Sequence, residues 1–241
     1  MKQFSRLNMV GLTVVALASL SGLAVAQSSH PAPAAQPTDH ADKMAKPAAK
    51  PANEIKVGDT LPQLTFKDAD GKDVDAKTLY AKGPAVIMFY RGNWCPYCNK
   101  SLKAFQDKVG EAKEMGATIA AVSPEKSEEL KETAKKDSLT YTLLSDSTGE
   151  GMKKLGLGFN LDDATKTKYK GFGVDLAKHN ASGEWALPHP ATLVVDTKGV
   201  VRYAYVNEDY TKRAEPEEVL AAVKKLTAEH GTEAPMKKDA K

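Results

Sequence analysis

A continuous apolar run, Ala85-Val86-Ile87-Met88-Phe89-Tyr90, leads into Trp94-Cys95-Pro96-Tyr97-Cys98, and a segment with Leu102, Phe105 and Val109 on one face follows. Six apolar residues without a break read as a strand covered on both sides. The following spacing has the period of a helix. The 241-residue chain holds two cysteines. Both therefore sit at a strand-to-helix turn, the context in which C-x-x-C carries redox chemistry.

The spacing has a physical basis. Residues three apart on a helix are neighbours, so two cysteines at that distance can close a small disulfide ring. A cysteine at the helix start meets unpaired N–H groups and the positive end of the dipole. Thiols in such places fall to roughly 3.5–7. On this reading Cys95 is the exposed nucleophile and Cys98, one turn in, resolves a mixed disulfide. Two other readings compete. Structural zinc needs four ligands, and no second C-x-x-C or H-x-H pair is present. A structural staple across so short a loop would constrain little of the unfolded chain.

The ends have a different character. Lys2 and Arg6 precede the uncharged apolar stretch Met9–Val25, and Ala24-Val25-Ala26 forms a small-x-small cleavage site. Residues 1–26 read as an export signal cleaved after Ala26, which places the protein in the periplasm or outside the cell with no stable membrane insertion. Residues 27–53, rich in Ala, Pro and Lys, cannot bury a core and read as a disordered linker. Residues 232–241 read as a flexible tail. That leaves one domain, residues 54–231. The formal charge is +3, with two positive charges in the leader. Nothing in it points to nucleic acid.

Further apolar runs read as strands: Ala117–Ser123, Tyr141–Asp146, Ala191–Asp196 and Val200–Val206. A helix is expected after the cysteines to near Gly116, another over Ser127–Lys136 and a short one near Gly151–Leu155. Asp196-Thr197-Lys198-Gly199 marks a hairpin turn. Pro216, Glu217 and Glu218 open a last helix that Gly231 closes. The order is that of an α/β sheet flanked by helices. Its first crossover puts the Cys95 turn at the carboxyl end of a strand, where such sheets place their sites. Asp70-Gly71-Lys72 reads as an added N-terminal β-hairpin at the sheet edge. The polar stretch from Phe159 to Leu187 has little periodicity and reads as a flap or a disordered loop.

These segments resemble the peroxiredoxin-like branch of the alkyl hydroperoxide reductase/thiol-specific antioxidant (redoxin) family, in the thioredoxin superfamily. The matching residues are Val57-Gly58-Asp59-x-x-Pro62, Phe89-Tyr90-Arg91-Gly92-x-Trp94-Cys95-Pro96-Tyr97-Cys98, Pro190-Ala191-Thr192-Leu193-Val194-Val195-Asp196, and Asp209-Tyr210-x-x-Arg213-x-Glu215-Pro216-Glu217. The resemblance implies a thioredoxin-like fold with a central mixed β-sheet. Peroxiredoxins carry Pro-x-x-x-Thr-x-x-Cys and an activating Arg from a later strand. In that alignment the peroxidatic cysteine falls on Cys98, the Thr on Cys95 and the Pro on Arg91. The later Arg falls on Pro190, which is also the place of the thioredoxin cis-proline.

Three functions follow from these residues. The first is a thiol peroxidase that reduces hydrogen peroxide or organic hydroperoxides through a Cys95/Cys98 disulfide and is recharged by a thioredoxin-type donor, with no cofactor and no metal. The second is a thiol–disulfide oxidoreductase for exported proteins, whose extended substrate lies on open backbone at Pro190. The third is a Cu(I) carrier using Cys95, Cys98 and His189. Supporting roles go to Arg91, which could hold the Cys98 thiolate or a peroxide; to Trp94, beside Cys95; and to His189, as a base or charge partner for a thiolate.

Overall fold

The computed structural model describes residues 53–231. The leader, almost all of the linker and the tail lie outside the described residues. A seven-stranded sheet organises the rest, in the order β2 (Asp73–Asp75), β1 (Thr65–Lys67), β5 (Thr142–Ser145), β4 (Thr118–Ser123), β3 (Ala85–Phe89), β8 (Ala191–Val195) and β9 (Val201–Val206). At its centre β3 (Ala85–Phe89) runs parallel to β4 (Thr118–Ser123), and β4 parallel to β5 (Thr142–Ser145). On the other side of β3, β8 (Ala191–Val195) and β9 (Val201–Val206) add antiparallel strands. All five residues of β3 and of β8 are buried, which is why both read as unbroken apolar runs.

Alternation splits the β3 run between two cores. Ala85, Ile87 and Phe89 face a layer that includes Phe66, Leu79 and Leu155. Val86, Met88 and Tyr90 face the other layer, with both cysteines, Leu102, Leu130 and Val223. The second layer takes its helical residues from α2 (Pro96–Gln106), α3 (Val109–Glu114), α4 (Ser127–Asp137) and α8 (Pro216–Gly231). The first takes its from α1 (Lys77–Tyr80) and α5 (Glu150–Lys154). The sheet is thus mixed and covered on both faces, as a thioredoxin-like fold requires.

The N-terminal hairpin forms as the turn residues require. β1 (Thr65–Lys67) and β2 (Asp73–Asp75) pair in register, and Asp68 Oδ1 accepts the N–H groups of Asp70 and Lys72 across the turn. Gly71 sits there at φ +79°, a region other residues rarely enter. The hairpin joins the sheet edge through Lys67 and Ser145. At the opposite end Asp196 closes the β8–β9 turn, accepting from the N–H groups of Lys198 and Val200 and from Arg202 Nε at 2.8 Å.

Two segments differ from the sequence reading. The helix after the cysteines breaks at Asp107–Lys108, and α3 (Val109–Glu114) follows as a separate helix. The stretch from Phe159 to Leu187 is folded. It contains most of β6 (Gly158–Asn160), then α6 (Asp163–Gly171), α7 (Leu176–His179) and the start of β7 (Ala186–Pro188). β6 and β7 pair as a two-stranded sheet. Leu161, Tyr169, Leu176 and Leu187 form a small core of their own, and Trp94 packs against both it and the cysteine layer.

Candidate active site

The turn after β3 sets the site. Cys95 occupies the N-cap of α2 in an extended conformation, with Pro96 at the first helical position, where its missing N–H costs nothing. Cys98 follows at the third. Both are free thiols. Cys95 is 2 % exposed and Cys98 0 %. The expected exposure of Cys95 is therefore corrected. The helix start is there, but it is buried among the residues of the second layer.

The two sulfurs differ sharply in ionisation. Burial pushes the Cys95 thiol well up, and its interactions with Cys98 push it further. Burial would raise Cys98 too. There it is outweighed by the hydrogen bond with Cys95, the charges of Arg213 and Arg91, and the backbone N–H of Arg91, which bring Cys98 down to about 5. Near neutrality Cys98 is the thiolate and Cys95 the thiol that donates to it. The two sulfurs share one proton: Cys95 donates it to Cys98, and Cys98 also draws on the Arg213 guanidinium and the Arg91 backbone N–H.

Sequence reasoning assigns no role to Arg213, which lies in the stretch Asp209–Glu217. Its NH2 lies 3.3 Å from Cys98 Sγ. Its NH1 donates to the carbonyls of Tyr210 and Lys212, which fixes the fork. The loop that carries it is braced by Asp209, which accepts from the Thr211 N–H and hydroxyl. Arg91 comes from the other side, 2 % exposed. Its guanidinium carbon lies 4.3 Å from the Tyr210 ring centroid, 5.3 Å from Trp94 and 5.6 Å from Tyr169. Three π-faces thus stabilise a cation held out of water. Nε and Nη1 of Arg91 are buried with no hydrogen-bond partner among the described residues, so the fork has donors to spare.

Trp94 stands between the cysteine layer and the small core of residues 159–187, edge-on to Tyr169 at 5.5 Å. Residues 159–187 therefore supply one wall of the site. His189 is 1 % exposed, stacked on Phe159 at 4.7 Å, and its N–H donates to the Leu157 carbonyl. The Pro190 carbonyl accepts the Asn207 N–H at 3.1 Å. The open backbone expected at Pro190 is therefore occupied by the protein's own chain. Thus the structure brings Cys95, Cys98, Arg91 and Trp94 together, adds Arg213, Tyr169 and Tyr210, and turns the His189 ring onto Phe159.

Known proteins share this frame. Residues 57–204 match the AhpC/TSA family. Peroxiredoxin Q of wheat (Triticum aestivum), a chloroplastic protein, is 33% identical over 155 residues, 64% of this chain and 61% of its own. Peroxiredoxin Q of Sedum lineare is 32% identical over 155 residues, 64% of this chain and 71% of its own. The match thus spans 61% of the wheat protein's length and somewhat more of the Sedum protein's. Among solved structures, peroxidoxin BcpB from Mycobacterium tuberculosis superposes with a TM-score of 0.58 at 23% identity, over 72% of this chain and 99% of that one. A peroxiredoxin-like protein from Aquifex aeolicus gives 0.57 at 20%, over 72% and 88%. At those identities the structures show the fold alone, a thioredoxin-type sheet flanked by helices. The family match covers more than half of the chain, including the turn with both cysteines, so the chain belongs to the AhpC/TSA family, as a peroxiredoxin-like member of the thioredoxin superfamily.

Proposed function

We propose that the protein is a thiol peroxidase in which Cys98 attacks the peroxide and Cys95 resolves the product. The observation that carries this reading is the fully enclosed Cys98 thiolate with Arg213 NH2 at 3.3 Å and Arg91 beside it. Attack on a peroxide needs a thiolate together with fixed donors for the leaving oxygen. Arg213 and Arg91 provide those donors where the family's usual Thr and strand Arg are replaced by Cys95 and Pro190. Cys95 keeps a hydrogen bond to the reacting sulfur and, one helical turn away, is placed to condense with the sulfenic acid. The resulting disulfide is then reduced by a thioredoxin-type donor.

The enclosure also weighs against a protein disulfide as first substrate. A peroxide is small enough to reach a buried sulfur, whereas an extended protein needs an exposed thiol and free backbone. Cys95 is covered, and the backbone at Pro190 is engaged. Two guanidinium groups beside the sulfurs likewise disfavour Cu(I). We place the protein in the periplasm or outside the cell on its leader: Lys2 and Arg6, the apolar stretch and Ala24-Val25-Ala26.

The test is the second-order rate at which hydrogen peroxide oxidises the reduced protein, read by Trp fluorescence. The expected rate is orders of magnitude above that of a free thiol. Cys98→Ser abolishes it, and Cys95→Ser accumulates a sulfenic acid that a dimedone probe traps. A free-thiol-like rate in the wild type would sink the peroxidase reading and return the pair to disulfide exchange.

A further inference from the structure

Behind the cysteine turn, three side chains from separate segments converge. Glu125 follows β4 and is fully buried. Glu129 lies in α4, and His179 ends α7, inside the segment 159–187 that walls the active site. One carboxylate oxygen from each glutamate and one ring nitrogen of His179 all lie within 4.8 Å of one another. His179 Nδ1 and Glu129 Oε1 are 3.0 Å apart. In a tetrahedral shell with bonds of about 2.0–2.2 Å, ligand atoms stand about 3.4 Å apart, so small side-chain rotations bring all three onto one centre.

The surroundings of these groups are rich in acceptors and poor in positive charge. Glu125 Oε1 accepts the Asn93 N–H at 2.9 Å, and the Ser123 hydroxyl reaches Oε2 at 3.4 Å. Glu129 Oε2 accepts Asn93 Nδ2 at 2.7 Å. The strap Arg91-Gly92-Asn93 is thereby held against both acids, and a Cβ on Gly92 would stand 2.6 Å from Glu125 Oε1. Among the described residues no lysine or arginine pairs with either carboxylate. Lys136 Nζ donates instead to the Asn93 carbonyl at 3.0 Å. Burial first, then the charges of Glu129 and Cys98, push Glu125 up to about 8.

A separate observation carries the same sign. Asn180 forms an isolated antiparallel bridge with Glu125. The flanking bonds, Lys126 N–H to the His179 carbonyl and Ala181 N–H to the Pro124 carbonyl, make the two residues a non-hydrogen-bonded pair, with side chains next to each other on one face. Asn180 is 1 % exposed, and its Nδ2 donates to the carbonyls of Glu184 and Ala186. Its Oδ1 is buried with no hydrogen-bond partner among the described residues. A buried oxygen of this kind calls for a donor or a cation.

We propose that Glu125, Glu129 and His179 form a binding site for a zinc-type divalent transition metal, which pins the segment 159–187 to the β4–α4 connection. Two carboxylate oxygens and an imidazole suit such an ion, whereas calcium and magnesium favour shells of oxygen alone. The side chains of Glu129 and His179 are 20 % and 26 % exposed, which gives the ion a way in and leaves room for a water as fourth ligand. Asn93 steadies both carboxylates from behind through its N–H and Nδ2. The cysteines take no part, so the site stands apart from the peroxidase reading.

Zinc binding tests it. The protein in its Cys95–Cys98 disulfide form, which removes the thiolates as ligands, is stripped with a chelator and titrated with zinc ion against a chromophoric competitor. One zinc is expected per chain, with nitrogen and oxygen neighbours at about 2.0–2.2 Å and no sulfur in X-ray absorption. Glu129→Gln and His179→Ala should each weaken binding at least tenfold. Both side chains are partly exposed, and circular dichroism checks that the variants keep the fold. Zinc should also slow tryptic cleavage after Lys166, Lys168 and Lys170 in the wild type and not in His179→Ala. Failure to hold zinc, or an affinity unchanged in both variants, overturns the site. Zinc bound with cleavage unchanged overturns the pinning. None of these results bears on the rate with peroxide, so the peroxidase reading fails or stands by its own test.

Discussion

Replacing Arg213 with methionine keeps the length of the side chain and removes the charge that sits 3.3 Å from Cys98. Hydrogen bonds to a charged group contribute about 1.5–3 kcal/mol. At 1.36 kcal/mol per pKa unit, losing this one raises the Cys98 thiol by roughly one to two units, from about 5. Taking 1.5 units, the thiolate fraction at pH 5.5 falls from about three quarters to about a tenth by simple titration. Above pH 8 both proteins are almost wholly ionised. The pH dependence of iodoacetamide alkylation at Cys98, resolved by mass spectrometry, measures this shift directly. The peroxide rate should fall about eightfold at pH 5.5 from ionisation alone. Any loss that persists at pH 8 reports the contact of Arg213 with the leaving oxygen. Arg213→Lys, which restores the charge without the fork, should recover the titration and only part of the rate. An alkylation midpoint that moves by less than half a unit in Arg213→Met would refute the contribution of this ion pair to the low Cys98 pKa.

Other expectations concern the walls of the site and the stability of the fold. Tyr169→Ala removes a buried ring that lies edge-on to Trp94 and faces Arg91; it should cost about 3 kcal/mol in urea unfolding and speed alkylation of Cys95 by bulky maleimides. Cys98 titrates lower in the folded protein, so its stabilisation is complete above its ordinary value of 9.0 and is lost as pH falls through about 5. The stability gap between the reduced wild type and Cys98→Ser should therefore widen between pH 5 and 9. Glu125 is the opposite case. Its raised folded pKa gives stability that is whole below 4.5 and lost as pH rises through about 8. Glu125→Gln should thus gain on the wild type across that window, measured as the midpoint in urea. Asp196→Ala strips the β8–β9 turn of its acceptor for two backbone N–H groups and Arg202, and should cost about 2–3 kcal/mol.

The sequence was legible where burial is local and regular. β3 and β8 are enclosed on both faces, so their apolar runs are unbroken, and α8 is bracketed by Pro216 and Gly231. Asp70-Gly71 and Asp196-x-x-Gly199 carry turn chemistry at fixed spacing. The segment from Phe159 to Leu187 was not legible, because its elements are short and its four core residues, Leu161, Tyr169, Leu176 and Leu187, are scattered among Lys, Asp and Gly. The cysteine turn itself was legible, but which sulfur carries the charge was not. That depends on Arg213, 115 positions away in the chain, and on Arg91, held against Tyr169 and Tyr210, contacts that no local pattern announces. Glu125 in Ser123-Pro124-Glu125-Lys126 looks like an ordinary acidic residue ahead of a helix. Its burial follows from the packing of the strap over it.

The closeness of the two sulfurs has a consequence for damage. A sulfenic acid on Cys98 faces two fates: condensation with a neighbouring thiol, or attack by a second peroxide that carries it irreversibly to the sulfinic state. Cys95 already shares a hydrogen bond with that sulfur, so the first fate is intramolecular and independent of oxidant concentration, whereas the second scales with it. No helix has to unwind to bring the thiols together. A protein built this way should go on cycling in a flood of oxidant, failing for want of reductant before its sulfur is destroyed.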